Sequence, residues 1–298
     1  MSSLLTIAIP TYNRAHLLDQ QLAWLANSIK GFESECEIII SDNCSTDTTS
    51  KVIQKWQPAF TTTQLRINRN HENIGAIKNI AYCINNATSK YVWTISDDDK
   101  IYDKTLAYLL QELKANPELS LLILNFSNFN IKTNQQRFTH CFNIENDEVN
   151  RNGKALFERC LPVDFAGGVA LTTALVYQTT IAKRALQEWA SGLNNLAVQI
   201  YVTGFCALHG SVKVTKDTYL QCNTGTNFWR ENAKLAFQLR YVDIPAVFWK
   251  LSRIGYSKKL CISMILSQYE RMILEHFQMR YLWRRLKSGI RSRLWKVQ

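Results

Sequence analysis

Tyr91-Val92-Trp93-Thr94-Ile95-Ser96-Asp97-Asp98-Asp99 joins an apolar, β-branched and aromatic run to three consecutive carboxylates. The run of Tyr, Val, Trp and Ile reads as a buried strand. Side chains on a chain leaving a strand can converge on one cation. Carboxylate oxygens are hard ligands that suit Mg²⁺ or Mn²⁺, and such an ion would hold the phosphates of a substrate. A solvated acidic turn is the other reading of Asp97-Asp98-Asp99, and the triplet alone does not separate the two.

The segments before it supply the context. Leu4 to Ile9 is a short apolar run ended by Pro10, and Glu37 to Ile40 is a second, stopped by Asp42-Asn43. Leu65 to Asn68 is a third strand candidate. Between them, Ala15 to Lys30 carries apolar residues at helical spacing. A second helix follows the cap Ser45-Thr46-Asp47 with Val52, Ile53 and Trp56 on one face. Ile74 to Asn85 gives a third helix, with Ile77, Ile80, Ala81 and Ile84 together. Strands alternating with helices predict an α/β fold with a mostly parallel sheet flanked by helices. Such sheets bind ligands beyond the carboxyl ends of their strands. Thr11-Tyr12-Asn13, Asp42-Asn43 and Asp97-Asp98-Asp99 each follow a strand, so three polar clusters are expected on one edge.

Further along, residues 105–115 read as a helix and Leu119 to Phe126 as a strand. Residues 127–153 are polar and asparagine-rich, which reads as irregular or hairpin structure. The apolar stretch 165–180, with Gly167-Gly168, is a candidate lining for an acceptor pocket. Residues 194–209 read as a helix, Val212 to Val214 as a short strand, and 226–298 as mostly helical. The expected division is a catalytic domain over 1–225 and an extension over 226–298.

Several function classes are excluded. No G-x-G-x-x-G follows the first strand, there is no G-x-x-x-x-G-K-[ST], and there is no G-x-S-x-G elbow. The eight cysteines include no C-x-x-C pair and no histidine at zinc-finger spacing, so they read as small buried hydrophobes in a reducing compartment. The amino terminus lacks the basic and apolar regions of a secretory signal. No window reaches the ~18 apolar residues of a membrane-spanning helix.

Ala8-Ile9-Pro10-Thr11-Tyr12-Asn13-Arg14, Glu37 through Asp47, Asn73-Ile74-Gly75 with Asn79, and Ser96-Asp97-Asp98-Asp99 together resemble the family 2 glycosyltransferases of the GT-A fold. The Asp-Asp-Asp variant and the chain length are most similar to the abequosyltransferase-type members that build bacterial surface polysaccharides. The resemblance is close over about residues 4–110 and fades by about 220. It implies transfer of a sugar from a nucleotide-diphosphate donor, with Mg²⁺ or Mn²⁺ as cofactor, to a saccharide acceptor carried on a lipid. It places Thr11 and Tyr12 beside the base and ribose, and Asp42 as acceptor of a hydrogen bond from a pyrimidine ring or, alternatively, as a turn residue. Asn73 lies in a turn beside the nucleotide. Lys78 stands where an arginine is common, either neutralising phosphate or simply exposed. Asp98 aligns with the metal-binding aspartate, with Asp99 beside it, while Asp97 replaces a ribose or metal contact because Ser96 stands where the first acid of D-x-D-D is usual.

The acceptor side departs from that family. Inverting members place an aspartate about eleven residues before a glycine, and counting back from Gly210 reaches Gln199. An amide cannot take a proton. Gln199 is left to orient the acceptor hydroxyl or to be an exposed helix residue. Asp164, His209 and Asp217 are the alternative bases. A non-catalytic nucleotide-sugar-binding relative is the rival reading, and a nucleotidyltransferase is disfavoured because Pro10 to Arg14 offers no glycine- and lysine-rich loop. Arg230 and Glu231 lie where a mobile loop covers the diphosphate in the family.

The net charge of +11 is concentrated at the end of the chain. Residues 250–298 hold 12 Lys/Arg and 2 Asp/Glu. Leu282, Leu286, Ile290 and Leu294 form one apolar stripe with Trp283 and Trp295 beside it, which predicts a helix lying on an anionic membrane surface through residues 280–298. Packing on the catalytic domain is the alternative. Nucleic acid is disfavoured, since the first 249 residues are nearly neutral. The expected location is cytoplasmic, peripheral on the inner face of the cell membrane.

Overall fold

The computed structural model describes residues 3–225 and 232–270. Its centre is one ten-stranded sheet. The strands are β1 (Leu5–Thr11), β2 (Cys36–Asp42), β3 (Gln64–Arg69), β4 (Tyr91–Thr94), β5 (Lys100–Ile101), β6 (Leu119–Asn130), β7 (Gln135–Phe138), β8 (Glu148–Asn150), β9 (Leu175–Gln178) and β10 (Ser211–Thr224). They lie in the order β3-β2-β1-β4-β9-β6-β10-β5, with β7 on β6 and β8 on β10. The long ladders are parallel: β3 to β2, β2 to β1, β1 to β4, and β6 to β10. β9 runs antiparallel between β4 and β6. The sheet is therefore mixed, mostly parallel, and flanked by helices as expected.

The helices are α1 (Ala15–Ser28), α2 (Thr49–Trp56), α3 (Ala76–Asn86), α4 (Thr105–Ala115), α5 (Gly153–Cys160), α6 (Thr179–Glu188), α7 (Val198–Leu208), α8 (Ala233–Gln238) and α9 (Ile244–Arg253), and residues 258–270 are helical. Strand alternation distributes them over two faces. Tyr91, Trp93 and Ile95 pack with Leu18, Leu22 and Leu25 of α1 and with Leu106, Leu109, Leu110 and Leu113 of α4. Val92, Leu121, Ile123, Leu175 and Tyr177 pack on the other side with α3, α5, α6 and α7. Val247, Phe248 and Leu251 of α9, with Cys261 and Met264, join that second cluster. No helix among the described residues is long and apolar enough to cross a membrane.

Three stretches differ from the sequence expectation. The short strand at Val212 to Val214 is the start of a 14-residue strand, Ser211–Thr224, whose register shifts after Val214 and Thr218. Its polar middle, Thr215-Lys216-Asp217, hides the continuation. β6 runs on past Phe126 to Asn130 because Asn125, Ser127 and Asn128 are buried with hydrogen-bond partners. The apolar residues 175–178 form β9 inside the sheet, so they are core and not pocket lining.

The first four strands in space, β3-β2-β1-β4, place a reversal of strand order between β1 and β4. In an open α/β sheet that is where a crevice opens at the carboxyl edge.

Candidate active site

The crevice is built by register. Thr11 is opposite Asp42, and Asp42 is opposite Arg69, so the last residues of β1, β2 and β3 stand in one row. Ala8 is opposite Thr94, and the Ile95 amide donates to the Ala8 carbonyl at 2.9 Å. Counting three residues on from that pair brings Thr11 beside Asp97. The hydroxyl of Thr11 donates to Asp97 Oδ2 at 2.8 Å. The three clusters expected on one edge therefore meet there.

Arg14 closes the cluster. Its guanidinium donates to Asp97 Oδ1 at 2.8 Å and to Asp98 Oδ2 at 3.0 Å. Burial pushes the Asp97 carboxyl up, and Arg14 and Thr11 only partly offset this. Asp98 is the most open member, with 17% of its side chain exposed against 4% for Asp97. The Ser96 hydroxyl donates to Asp98 Oδ1. Asp99 is enclosed: Thr173 Oγ1 donates to its Oδ2 at 2.5 Å and the Asn223 amide to its Oδ1 at 3.3 Å. Burial, with Asp98 next to it, raises the Asp99 pKa to about 7. Asn223 also donates from Nδ2 to the Asp98 carbonyl at 2.8 Å, and the Ser96 amide donates to Thr173 Oγ1 at 3.0 Å. β10 and the segment before β9 thus clamp the acidic turn.

Asp42 is buried and both oxygens are engaged. The Ser45 amide donates to Oδ1 at 2.9 Å, and Arg69 pairs with Oδ2. Arg69 also donates to the Ser45 carbonyl at 2.7 Å. The turn after β2 is thereby fixed, and it is stitched to the turn after β1. Asn13, at φ 51°, accepts from the Thr46 amide at 2.7 Å, while its own amide donates to Ser45 Oγ at 2.9 Å. Asp47 accepts from the Thr49 amide and from the Ala15 amide, both at 3.0 Å, so one carboxylate holds the first turns of α2 and α1.

The turn containing Asn73 is held by amides. Asn43 Nδ2 donates to Asn73 Oδ1 at 2.7 Å, and Asn43 Oδ1 accepts from the Ile74 amide at 3.0 Å. Asn73 Oδ1 also accepts from the Gly75 amide at 2.9 Å. Gly75 has φ 87°, which a glycine adopts without the Cβ strain of other residues. Asn79, buried on α3, accepts from Ser41 Oγ at 2.7 Å and Asn70 Nδ2 at 3.1 Å. Tyr12 and Lys78 are exposed at this edge.

Among the described residues no group of three or more His, Cys, Asp and Glu side chains is placed to hold a metal ion. The donor set nevertheless fits a cation carried mainly by a substrate's phosphates, a mode that needs only one or two protein carboxylates. Asp98 is the accessible hard ligand, and the guanidinium between Asp97 and Asp98 shows that positive charge is accommodated there.

The acceptor-side residues fall elsewhere. Gln199 is buried, not an exposed helix residue, and its Nε2 donates to the Tyr177 hydroxyl. Burial pushes the Tyr177 phenol up, and that hydroxyl pairs with Thr203 Oγ1 at 2.9 Å. His209 is on the wrong edge: it precedes Ser211, which pairs with Leu119 at the amino end of β6, and its Nδ1 donates to the Phe205 carbonyl at 2.7 Å. Asp217 is exposed on β10, six residues before Asn223, roughly 15–20 Å along the strand. Asp164 belongs to the 3-10 segment Val163–Val169, and its side chain lies outside the described residues. Arg230, Glu231 and residues 280–298 also lie outside them.

The glycosyl transferase family 2 matches residues 6–169, more than half of the chain and every strand that forms this crevice. The chain belongs to that family. An abequosyltransferase of Salmonella typhimurium is 33% identical over 118 residues, 40% of this chain and 35% of that protein. The GalNAc(5)-diNAcBac-PP-undecaprenol beta-1,3-glucosyltransferase of Campylobacter jejuni is 31% identical over 112 residues, 38% of this chain and 34% of that protein. The chain thus spans about a third of the length of these family 2 relatives. Residues 1–349 of TarS of Staphylococcus aureus, solved with UDP-GlcNAc, superpose with a TM-score of 0.66 at 15% identity, covering 90% of this chain and 72% of that one. That likeness shows the GT-A fold.

Arg14 ends the first motif with no role evident from sequence, and Arg69, Thr173 and Asn223 stand outside every motif. Arg69 was within reach, because it ends a strand beside Asp42. Thr173 and Asn223 lie about 75 and 125 residues beyond the acidic run in the chain, and only the placement of β9 and β10 brings them to it.

Proposed function

We propose that this chain transfers a sugar from a nucleotide-diphosphate donor to a saccharide acceptor carried on a lipid, in the synthesis of a surface polysaccharide. The observation that carries this reading is the meeting of Thr11, Arg14, Asp97 and Asp98 at the strand-order reversal, one strand away from the Asp42 turn. The name of the Campylobacter relative, whose acceptor is a saccharide on PP-undecaprenol, supports the acceptor class.

Asp98 would hold Mg²⁺ or Mn²⁺, with Asp97 behind it. A divalent ion on the diphosphate stabilises the charge of the leaving group. The chain's own residues do the rest. The Asp42–Arg69 pair keeps the turn after β2 rigid, so the base and ribose meet a preformed wall with Thr11 and Tyr12 beside them. Arg14 sits where negative charge grows as the diphosphate departs, and a guanidinium there favours that state. Lys78, on the first turn of α3, adds a second positive charge at this edge. The acceptor hydroxyl attacks C1 of the sugar, and inversion is the expected outcome. The basic segment 280–298 would lie on the anionic face of the membrane.

Asp98→Asn tests the site. In a panel of nucleotide sugars with Mn²⁺, the parent should turn over at least one donor, and the variant should lose at least about 100-fold in kcat/KM. Full activity in Asp98→Asn refutes the metal assignment. Tight nucleotide binding by the parent with no turnover of any donor favours a non-catalytic relative.

A further inference from the structure

The helices after residue 232 are apolar on two sides. Val247, Phe248 and Leu251 of α9 face the core, as do Cys261 and Met264 of the following helix. Large apolar residues also stand on the solvent side, among exposed lysines and Arg253. Phe237, Val242, Trp249, Ile262 and Leu266 are all exposed, with Trp249 at 59% and Phe237 at 57%. Nine large hydrophobic residues are exposed among the described residues, and these five fall within 39 residues at one end of the chain. On α9 and the turn before it the exposed positions are 242, 246, 249 and 253, which is one stripe at helical spacing. Bulky apolar side chains grouped on an exposed surface mark a contact site.

The charges say what. Residues 232–270 hold six Lys/Arg and two Asp/Glu, and one of the two acids, Asp243, is buried. Lys258 and Lys259 are exposed at the start of the last helix, and Lys234 at the start of α8. The Arg253 guanidinium lies 5.9 Å from the Trp249 ring centroid, so the most exposed aromatic carries a cation beside it. Bulky apolar groups mixed with lysine and arginine, and almost no free carboxylate, complement a surface that is apolar beneath and negative on top.

We propose that the exposed side of residues 233–270 docks on an anionic lipid surface, with Phe237, Trp249, Ile262 and Leu266 entering the headgroup region and the lysines meeting lipid phosphate. This docking is independent of donor chemistry and separate from the basic segment 280–298.

The test is flotation of the full chain with vesicles of phosphatidylcholine alone or with about one-third phosphatidylglycerol. The parent should partition to the anionic vesicles at least about tenfold more strongly than to the neutral ones at ~0.1 M salt. Phe237→Ser/Trp249→Ser should lose at least about tenfold in partition while keeping its melting temperature and its nucleotide-induced stabilisation. Lys258→Glu/Lys259→Glu should lose the preference for phosphatidylglycerol, which keeps the proposal open to refutation where the first variant misfolds. Equal flotation of parent and both variants overturns it. So does loss of flotation in Arg284→Gln/Arg285→Gln/Lys287→Gln with none in Phe237→Ser/Trp249→Ser, which assigns binding to the terminal segment. A parent that ignores both vesicles but forms dimers that Phe237→Ser/Trp249→Ser dissolves makes this face a contact between copies.

Discussion

Arg14→Gln separates a structural counter-ion from a functional one. The parent guanidinium lies 2.8 Å from Asp97 Oδ1 and 3.0 Å from Asp98 Oδ2. At an effective dielectric of ~20, unit charges ~3 Å apart attract by about 5 kcal/mol per pair before desolvation and screening. Arg14 keeps 31% of its side chain exposed, so most of that is screened. Asp97 is buried, however, and removing its partner leaves a carboxylate with only the Thr11 hydroxyl. The net loss should be about 2 kcal/mol, or a fall in Tm of roughly 4–8 °C for a domain of this size in EDTA. If the space between Asp97 and Asp98 is where a divalent ion sits, Mn²⁺ with the nucleoside diphosphate that most raises the parent's Tm should return most of that loss. The variant's ligand-induced gain in Tm would then exceed the parent's. The assay is thermal unfolding with EDTA, Mn²⁺, that nucleoside diphosphate and both. A deficit of the same size under all four conditions refutes the shared-cation reasoning. No deficit in EDTA refutes the ion pair itself.

Other perturbations test the frame around the site. Glu37 is buried and accepts from the Thr6 hydroxyl at 2.6 Å and the Thr88 amide and hydroxyl at 2.9 Å, and it pairs with Arg66. Burial pushes its carboxyl up, but those partners outweigh burial and hold its pKa below the usual range. A depressed folded pKa means the stabilisation is complete above the unfolded value of ~4.3 and fades as pH falls through the folded one. Glu37→Gln should therefore cost about 2 kcal/mol at pH 7 and progressively less as the pH falls below ~4, read by urea unfolding; a pH-independent cost contradicts the assignment. Gly153→Ala places a Cβ 2.4 Å from the Gly210 carbonyl and 2.5 Å from that of Ala207. It should cost at least about 3 kcal/mol by the same method, since backbone cannot step aside, and a cost under 1 kcal/mol contradicts that packing.

The donor half was legible because it is local. Leu4 to Ile9, Glu37 to Ile40 and Tyr91 to Ile95 each end in a polar cluster, and parallel pairing of those strands brings the clusters together whatever the rest of the chain does. The long second half of the sheet was less legible. β10 looks like a three-residue strand because the residues after Val214 are polar: Thr215 is buried, accepting from the Asn125 amide at 2.8 Å, and the Lys216 amide donates to Asp147 Oδ1 at 2.8 Å. Tertiary partners there replace the apolar alternation on which strand reading rests. Gln199 failed for the same reason. An amide on a helix reads as surface unless its buried partner, here Tyr177 on β9, is known.

That partner ties the two sides of the site together. Thr173 donates to Asp99 and accepts from the Ser96 amide. Four residues earlier, the Val169 carbonyl accepts from Thr203 at 3.0 Å, and Thr203 meets the Tyr177 hydroxyl to which Gln199 donates. One stretch, Val163 to Ala174, therefore fixes the acidic turn at one end and the first turns of α7 at the other. Asp99 is held by this stretch and by β10: it is buried between Thr173 and Asn223, whereas Asp98 keeps 17% of its side chain exposed. Gln199 has no proton-accepting carboxylate, and its nitrogen is committed to Tyr177. Its place in the chain of contacts ties α7 to β9 and to the stretch that holds the acidic turn.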